Sequence, residues 1–308
     1  MEKLKIIFMG TPEFAVPTLK MLNDFAEIIL VVTQPDRPKG RGQKLQPSPV
    51  KVFAEKNSLP VFQPQKIKSP ESVAELKKFP ADLIVVVAFG QILSQEILDF
   101  PKFGCINVHA SLLPKYRGAA PIEWSIINGE KVTGVTTMQM NAGLDTGDML
   151  LKSEVEISDE MILPELREKL QNAGAKLLIE TIEKLQRGEL KPVKQDDSLS
   201  NYAPMLKKDT GKIDWKKSAQ EIHNLVRGLY GGAFSILNGE KIKIWRTKIS
   251  AENLNLQAGE IKIVGKNFFV GTGEGVLEIV EIQAPNAKKM FASDFLRGHK
   301  IDEVFFQE

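Results

Sequence analysis

Short continuous apolar runs alternate with helix-period segments through the first half of the chain. Residues 4–9, 28–33, 83–88 and 105–109 are brief and almost uniformly apolar. Runs of that kind suit parallel strands covered on both faces. Between them, residues 12–23, 49–57, 70–78 and 119–128 read as helices. Three of these open on proline, whose missing N–H costs nothing at a helix N-terminus. The alternation predicts an α/β fold, a Rossmann-like doubly wound parallel sheet with right-handed crossovers. Ligands of such sheets bind at the carboxyl ends of the strands.

A longer helical pattern covers residues 164–186, with Leu166, Leu170, Ala173, Leu177, Ile182 and Leu185 on one face. Periodicity then fades, and Gly, Pro, Asp and Ser collect up to residue 208. Beyond it, residues 219–230 predict one short helix. Five short apolar segments follow (234–237, 241–245, 259–264, 268–271 and 276–282), separated by Gly and Asn. That spacing predicts a small OB-like β-barrel. The expected organisation is a catalytic domain over 1–187, a linker over 188–207 and a C-terminal domain over 208–308.

Composition narrows the classes. Across 308 residues, 43% are hydrophobic and 26% charged, an ordinary globular mixture and not that of a disordered chain. A single cysteine, Cys105, excludes an intramolecular disulfide and a cysteine-based metal cluster. His109, His223 and His299 are widely separated, so no metal site is expected. The apolar start at residues 6–9 is too short for a signal peptide, and no run approaches a membrane span. No membrane association and a cytoplasmic location are expected. The formal net charge is only +2, from 41 Lys and Arg against 39 Asp and Glu. Taken as a total, it argues against a nucleic-acid partner. Its distribution does not: residues 36–51 carry Arg37, Lys39, Arg41, Lys44 and Lys51 against the single acid Asp36. Gly40, Gly42 and neighbouring prolines make this basic stretch a mobile loop, suited to close approach to phosphates.

Candidate chemistry starts at the first strand–helix turn, Gly10-Thr11-Pro12. It keeps one glycine of the dinucleotide fingerprint, so a nicotinamide cofactor is not expected. The segment 105–109 says more. Alternation puts Asn107 and His109 on one side, at the strand's carboxyl end. Together they supply a neutral amide donor and a group that titrates near neutrality. Asp145, in a glycine-flanked loop, is placed to orient His109. On spacing alone the alternative stands, that His109 is a satisfied strand-end histidine and Asp145 a turn residue. Cys105 has no nearby base and reads as packing.

Six separated segments go further. Asn107 and His109 run into Ser111, Leu112, Leu113 and Pro114, then Arg117-Gly118, and Asp145 follows inside Gly143 to Gly147. The stretches 8–17, 32–42, 201–204 and 211–215 extend the match over the whole chain. This pattern resembles the 10-formyltetrahydrofolate-dependent formyltransferases, in particular those that act on methionyl-initiator tRNA. The resemblance implies an enzyme that moves a formyl group from 10-formyltetrahydrofolate to the amino group of that tRNA, for translation initiation. Attack would be direct, through a tetrahedral intermediate, with no metal. It implies Asn107, His109 and Asp145 as the catalytic trio. It implies a folate site along Ser111, Leu112, Leu113 and Pro114, with the pterin ring near Phe89, Gly90, Gln91, Ile92 and Leu93. Asn141 departs from the pattern, standing where many relatives carry an acid, at the edge of that site.

The resemblance also implies that Arg37, Lys39, Arg41 and Lys44 engage tRNA. An enzyme acting on a small amino sugar is the rival, and gives no reason for such an arm. The C-terminal domain, expected to bind tRNA, carries 15 basic against 13 acidic residues, with Lys241, Lys243, Arg246 and Lys248 grouped around one strand. His223 reads as a surface or interface residue, and His299 as a helix-end cation beside Arg297 and Lys300. The protein is expected to act as a monomer.

Overall fold

The computed structural model describes residues 3–39, 42–252, 254–299, 301 and 305–306. The chain divides into two compact units, Met1–Gly118, Val132–Glu156 and Arg167–Ala203 in the first, and Ala119–Lys131, Ile157–Leu166 and Pro204–Glu308 in the second. The segment expected to be a linker therefore divides: residues 188–203 count with the first unit and 204–207 with the second.

The first unit is built on a seven-stranded sheet. Its strands are β1 (Lys5–Gly10), β2 (Glu27–Val32), β5 (Val61–Phe62), β6 (Leu83–Val87), β7 (Cys105–His109), β9 (Val132–Gln139) and β10 (Met149–Glu156), in the order β10-β9-β7-β6-β1-β2-β5. Two further pairs stand apart, the hairpin β3 (Arg37–Lys39) with β4 (Lys44–Gln46), and β8 (Arg117–Gly118) with β11 (Tyr202–Ala203). Pairing from β5 to β7 is parallel, and β9 and β10 add an antiparallel edge. The apolar runs land where the sequence predicts, and β6 is buried along its whole length. On one face Ile7, Met9, Val32, Ile84 and Val86 join Ile97, Leu98 and Cys105 in a single core.

The helices are α1 (Val16–Phe25), α2 (Pro49–Lys56), α3 (Pro70–Leu76), α4 (Gln95–Leu98), α5 (Pro121–Ile127), α6 (Leu163–Gln186), α7 (Ala219–Leu229) and α8 (Ala292–Gly298). Two start as their sequences dictate. Ser48 caps α2 and Ser69 caps α3 through their hydroxyls, each followed by proline. Such a cap contributes about 1 kcal/mol over alanine.

Strands β9 and β10 are additions to the pattern. Residues 132–139 mix three strand-favouring threonines with Gly134, so no continuous apolar run marks them. In the fold, a Cβ at Gly134 would lie 2.2 Å from Ser153 O and 2.5 Å from Leu112 Cδ2. The glycine is there for close approach inside a strand, a meaning that composition does not reveal.

In the second unit an antiparallel sheet runs β12 (Phe234–Leu237), β13 (Glu240–Ile249), β16 (Val276–Gln283), β15 (Asn267–Gly271) and β14 (Ile261–Val264), with β17 (Met290–Phe291) also on β16. It packs against α7, whose Ile222 and Val226 meet Ile244, Phe268, Leu277 and Ile279. Helix α7 opens on a reciprocal capping box between Ser218 and Glu221. This is the OB-like element that the strand spacing predicts.

Candidate active site

Strand β7 delivers Asn107 and His109 to the carboxyl end of the sheet on one face. Asn107 is half-buried and His109 is 6% exposed. The Asn107 amide has no side-chain partner among the described residues. His109 Nε2 lies 2.9 Å from Tyr116 O. A carbonyl only accepts, so Nε2 carries the hydrogen and donates it. The other ring nitrogen, Nδ1, is 3.7 Å from Asp145 Oδ2, an ion-pair distance. Asp145 Oδ2 also accepts from Gly118 N at 2.8 Å. With Nε2–H committed to the main chain, Nδ1 is the ring nitrogen that faces Asp145.

The backbone supporting this pair is unusual. Tyr116 has φ +60° and Asp145 φ +53°, both left-handed. For a bulky residue such as tyrosine that costs roughly 1 kcal/mol, so the surroundings must enforce it. They do so through residues 111–118. Ser111 Oγ donates to Lys115 O at 2.6 Å, Thr136 Oγ1 donates to Ser111 O at 2.7 Å, and Leu113 N donates to Thr136 Oγ1 at 3.1 Å. The Leu113–Pro114 peptide is cis, and Lys152 Nζ donates to Leu113 O at 2.5 Å. Burial pushes the Lys152 ammonium below its ordinary range. Leu113 packs against Met138 and Met149, and Leu112 against Gly134. The side chains of Ser111, Leu112 and Leu113 are thus spent on shaping the loop.

Residues 89–93 divide similarly. Phe89 and Leu93 belong to the sheet's core. Phe89 O accepts from Thr11 Oγ1 and from Gln34 Nε2. Gln91 accepts from Ile67 N and donates to Pro64 O, while Ile92 stands 73% exposed. Leu144, beside Asp145, is 55% exposed. Asn141 Oδ1 accepts from Gly143 N and Thr146 Oγ1 at 3.0 and 2.9 Å, a service that a carboxylate oxygen performs equally well. Cys105 is fully buried, and burial pushes its thiol up to about 12. It packs.

A cleft of ≈ 420 Å³ opens at the ends of β1, β2 and β6, lined by Thr11, Gln34, Arg37, Ser48, Phe89 and Gly90 among others. Asn107, His109 and Asp145 do not line it. The hairpin β3–β4 pairs Arg37 with Gln46 and Lys39 with Lys44, where glycine and proline content predicts only loop. Lys51 is paired with Asp36 at 2.8 Å, and Gln63 also donates to that carboxylate. Both contacts hold the Asp36 carboxyl below its ordinary range. That pair cancels, leaving the excess charge of this stretch to Arg37, Lys39, Arg41 and Lys44. Arg37 and Lys44 are exposed. Of Lys39 only the backbone is described, and Arg41 lies outside the described residues.

In the second unit His223 is not at the surface but in an internal interface, the other half of its expectation. It is 4% exposed, with Nδ1 2.9 Å from Thr247 Oγ1 and Nε2 3.1 Å from Asp159 O. The helical spacing identifies its face as amphipathic but cannot show that residues 157–161 cover it. His299 caps the end of α8, stacked on Phe295. Lys241, Lys243, Arg246 and Lys248 alternate with buried Ile242, Ile244 and Thr247 along β13, a bulge near Arg246 keeping the series outward. Among the described residues no group of His, Cys, Asp and Glu is arranged to hold a metal, and no helix is long and apolar enough to cross a membrane.

Sequence signals found Asn107, His109 and Asp145 but not the residues that fix them. Gln195 Nε2 donates to Asp145 O and Gly147 O, and Asn201 Oδ1 accepts from Tyr116 N. Both sit where periodicity has faded, and only the Asn201 segment belongs to a matched motif.

Comparison with known proteins agrees over the whole length. Residues 4–182 match the formyl transferase family model, and 205–300 match the formyl transferase C-terminal domain. The methionyl-tRNA formyltransferase of Geobacter metallireducens is 53% identical over 306 residues, covering 98% of each chain. That of Acetivibrio thermocellus is 51% identical, covering 97% of this chain and 98% of its own. Among solved structures, an N-formyltransferase from Helicobacter canadensis, in complex with folinic acid and dTDP-3-aminofucose, superposes with a TM-score of 0.66 at 24% identity, covering 94% of this chain and 100% of that one. That likeness speaks for the fold. By its full-length identity to these relatives, the chain belongs to the methionyl-tRNA formyltransferase family.

Proposed function

We infer that this enzyme transfers the formyl group of 10-formyltetrahydrofolate to the amino group of methionyl-initiator tRNA, for translation initiation. One geometric observation carries the site: the motif residues Asn107, His109 and Asp145 meet at the end of β7, with His109 Nδ1 3.7 Å from Asp145 Oδ2. The folate supplies the activated one-carbon group, and the chain supplies placement, charge stabilisation and proton traffic. Negative charge gathers on the formyl oxygen as the amine attacks. The uncommitted Asn107 amide is the donor for it, and protonated His109 adds positive charge beside it. One such donor is worth roughly 100–1,000-fold in rate.

An α-amino group has an ordinary pKa of about 8, so the nucleophile needs little activation. It must still lose a proton while the departing folate nitrogen gains one. Asp145 takes the proton from the amine and passes it to the folate nitrogen, directly or through water, while holding His109 charged. Ser111, Leu112, Leu113 and Pro114 hold the loop along which the folate lies, with its ring near residues 89–93.

The exposed basic hairpin and the cleft beneath it receive the acceptor end of tRNA. The part over 208–308 binds tRNA further along, with β13 offering Lys241, Lys243, Arg246 and Lys248 to the phosphates. The enzyme acts in the cytoplasm, as a monomer.

A single assay tests this reading. The enzyme and 10-formyltetrahydrofolate are offered methionyl-initiator tRNA, free methionine and an amino-sugar nucleotide. The tRNA is the expected acceptor, and preference for the sugar would overturn the assignment. In the same assay, replacing Arg37 and Lys44 by alanine raises KM for tRNA and leaves KM for the formyl donor in place.

A further inference from the structure

We propose that residues 193–203 form a strap that sets the geometry of the catalytic pair, and that Gln195 and Asn201 are positioning residues of the reaction. The proposal rests on the functional reading above. Sequence makes this stretch a connection between domains, whereas the structure binds it to the active site at four points. Val193 and Met149 exchange two main-chain hydrogen bonds, at 2.8 and 2.9 Å. Gln195 is half-buried, and all the hydrogen-bonding groups of its amide point inward. Nε2 donates to Asp145 O at 2.8 Å and to Gly147 O at 2.7 Å, and Oε1 accepts from Arg117 Nε at 2.9 Å. Arg117 reaches on to Asp197 at 2.8 Å. Asn201 Oδ1 accepts from Tyr116 N, and Asn201 O accepts from Arg117 N. Finally β11 lies parallel to β8. A Cβ at Gly118, whose φ is +119°, would stand 2.7 Å from Ala203 O, so glycine is needed for the two to meet.

Two of these contacts, those of Gln195 and Asn201, end beside the catalytic pair. Tyr116 O is the acceptor for His109 Nε2, and Asn201 fixes the peptide on the other side of Tyr116. Asp145 O and Gly147 O are the handles of the loop that carries the carboxylate, and the two Gln195 hydrogens grip both. The strap therefore grips Tyr116, and through it His109, by one amide and Asp145 by another, across 85 and 50 residues of sequence. Both gripped residues occupy left-handed backbone, a conformation that persists only where neighbours enforce it. The strap is that neighbour. A misplacement of about 1 Å in such a pair costs on the order of 100-fold in rate, so partial loosening is measurable.

Four variants decide it. Gln195→Met keeps the length and removes the donors and the acceptor. Gln195→Glu keeps an acceptor for Arg117 and replaces the donors with an oxygen that the Asp145 and Gly147 carbonyls repel. Both are expected to lower kcat about tenfold or more, with both KM values within about twofold and the melting temperature nearly unchanged. Wild-type kcat in Gln195→Met, or in Gln195→Glu alone, overturns the proposed grip on the Asp145 loop. A loss of rate matched by an equal loss of folded protein does the same.

Asn201→Leu against Asn201→Asp is the second pair, and it decides the matter even if Gln195→Met does not fold. The aspartate keeps the acceptor for Tyr116 N and is expected to recover most of what the leucine loses. Equal behaviour of the two overturns the proposed hold on His109. The imidazole 15N spectrum reads that hold without turnover. A protected His109 Nε2–H signal is expected in wild type and Asn201→Asp, and is lost in Asn201→Leu. A wild-type enzyme inactive on methionyl-tRNA counts against the functional reading alone, because the spectrum still judges the strap.

Discussion

Two histidines are buried to nearly the same depth, His109 at 6% exposed and His223 at 4%, and each has Nε2 beside a main-chain carbonyl. Their second nitrogens separate them. In His223, Nδ1 meets the Thr247 hydroxyl at 2.9 Å, which closes the ring's hydrogen bonding. Burial lowers its pKa, and the ring works as a neutral clasp between α7 and residues 157–161. Arg227, one turn further along the helix, does the same job with Ser158 O and Met161 O. In His109, Nδ1 faces the Asp145 carboxylate at 3.7 Å and is not closed off by a hydroxyl. Burial of a histidine therefore says little about its role. What the second nitrogen faces says more.

The comparison breaks first at the chemistry. His109→Ala is expected to lower kcat by about 100–1,000-fold, while His223→Gln changes it less than about twofold. Steady-state assays of the two variants side by side check this, and similar losses would erase the distinction. Next comes stability. Arg227→Met strips donors from Ser158 O, Met161 O and Asn224 Oδ1 and is expected to cost about 2–3 kcal/mol in denaturant unfolding, with the specific activity of the folded fraction retained. The smallest effect is the pH response. The folded His223 has a lowered pKa, so below about pH 6.5 the unfolded chain takes up the proton more readily. Stability is complete above that range and falls as pH drops through it, levelling once the folded ring is also protonated. Thermal midpoints between about pH 7 and about pH 5 should show this slope, and His223→Gln should flatten it.

Much of this was legible in the chain, for reasons tied to particular residues. Strands β1, β2 and β6 stand out because both faces are covered, so that their interiors run as unbroken apolar residues. Helix α6 stands out because Leu166, Leu170, Leu177 and Ile182 recur at its period and are buried. Strand β9 hides behind Thr133, Thr136 and Thr137, which are buried though polar. The hydroxyl of Thr136 bonds the 111–113 loop and that of Thr137 meets Thr181, partners that only the fold supplies. Asn107, His109 and Asp145 are visible through a motif, yet spacing alone left them open to a bland explanation. Gln195 leaves no such trace, because its partners lie 48 to 78 residues away and two of them are main-chain carbonyls.

Cys105 has a practical consequence. The only thiol of the chain is sealed in the core at the start of β7 and held in its protonated, unreactive form, its pKa pushed up to about 12. Alkylating and maleimide reagents at neutral pH should pass it by. The native enzyme is thus already a silent background for site-directed labelling. One cysteine introduced at the exposed Leu45 of the basic hairpin would carry a fluorophore or spin label without any prior removal of thiols.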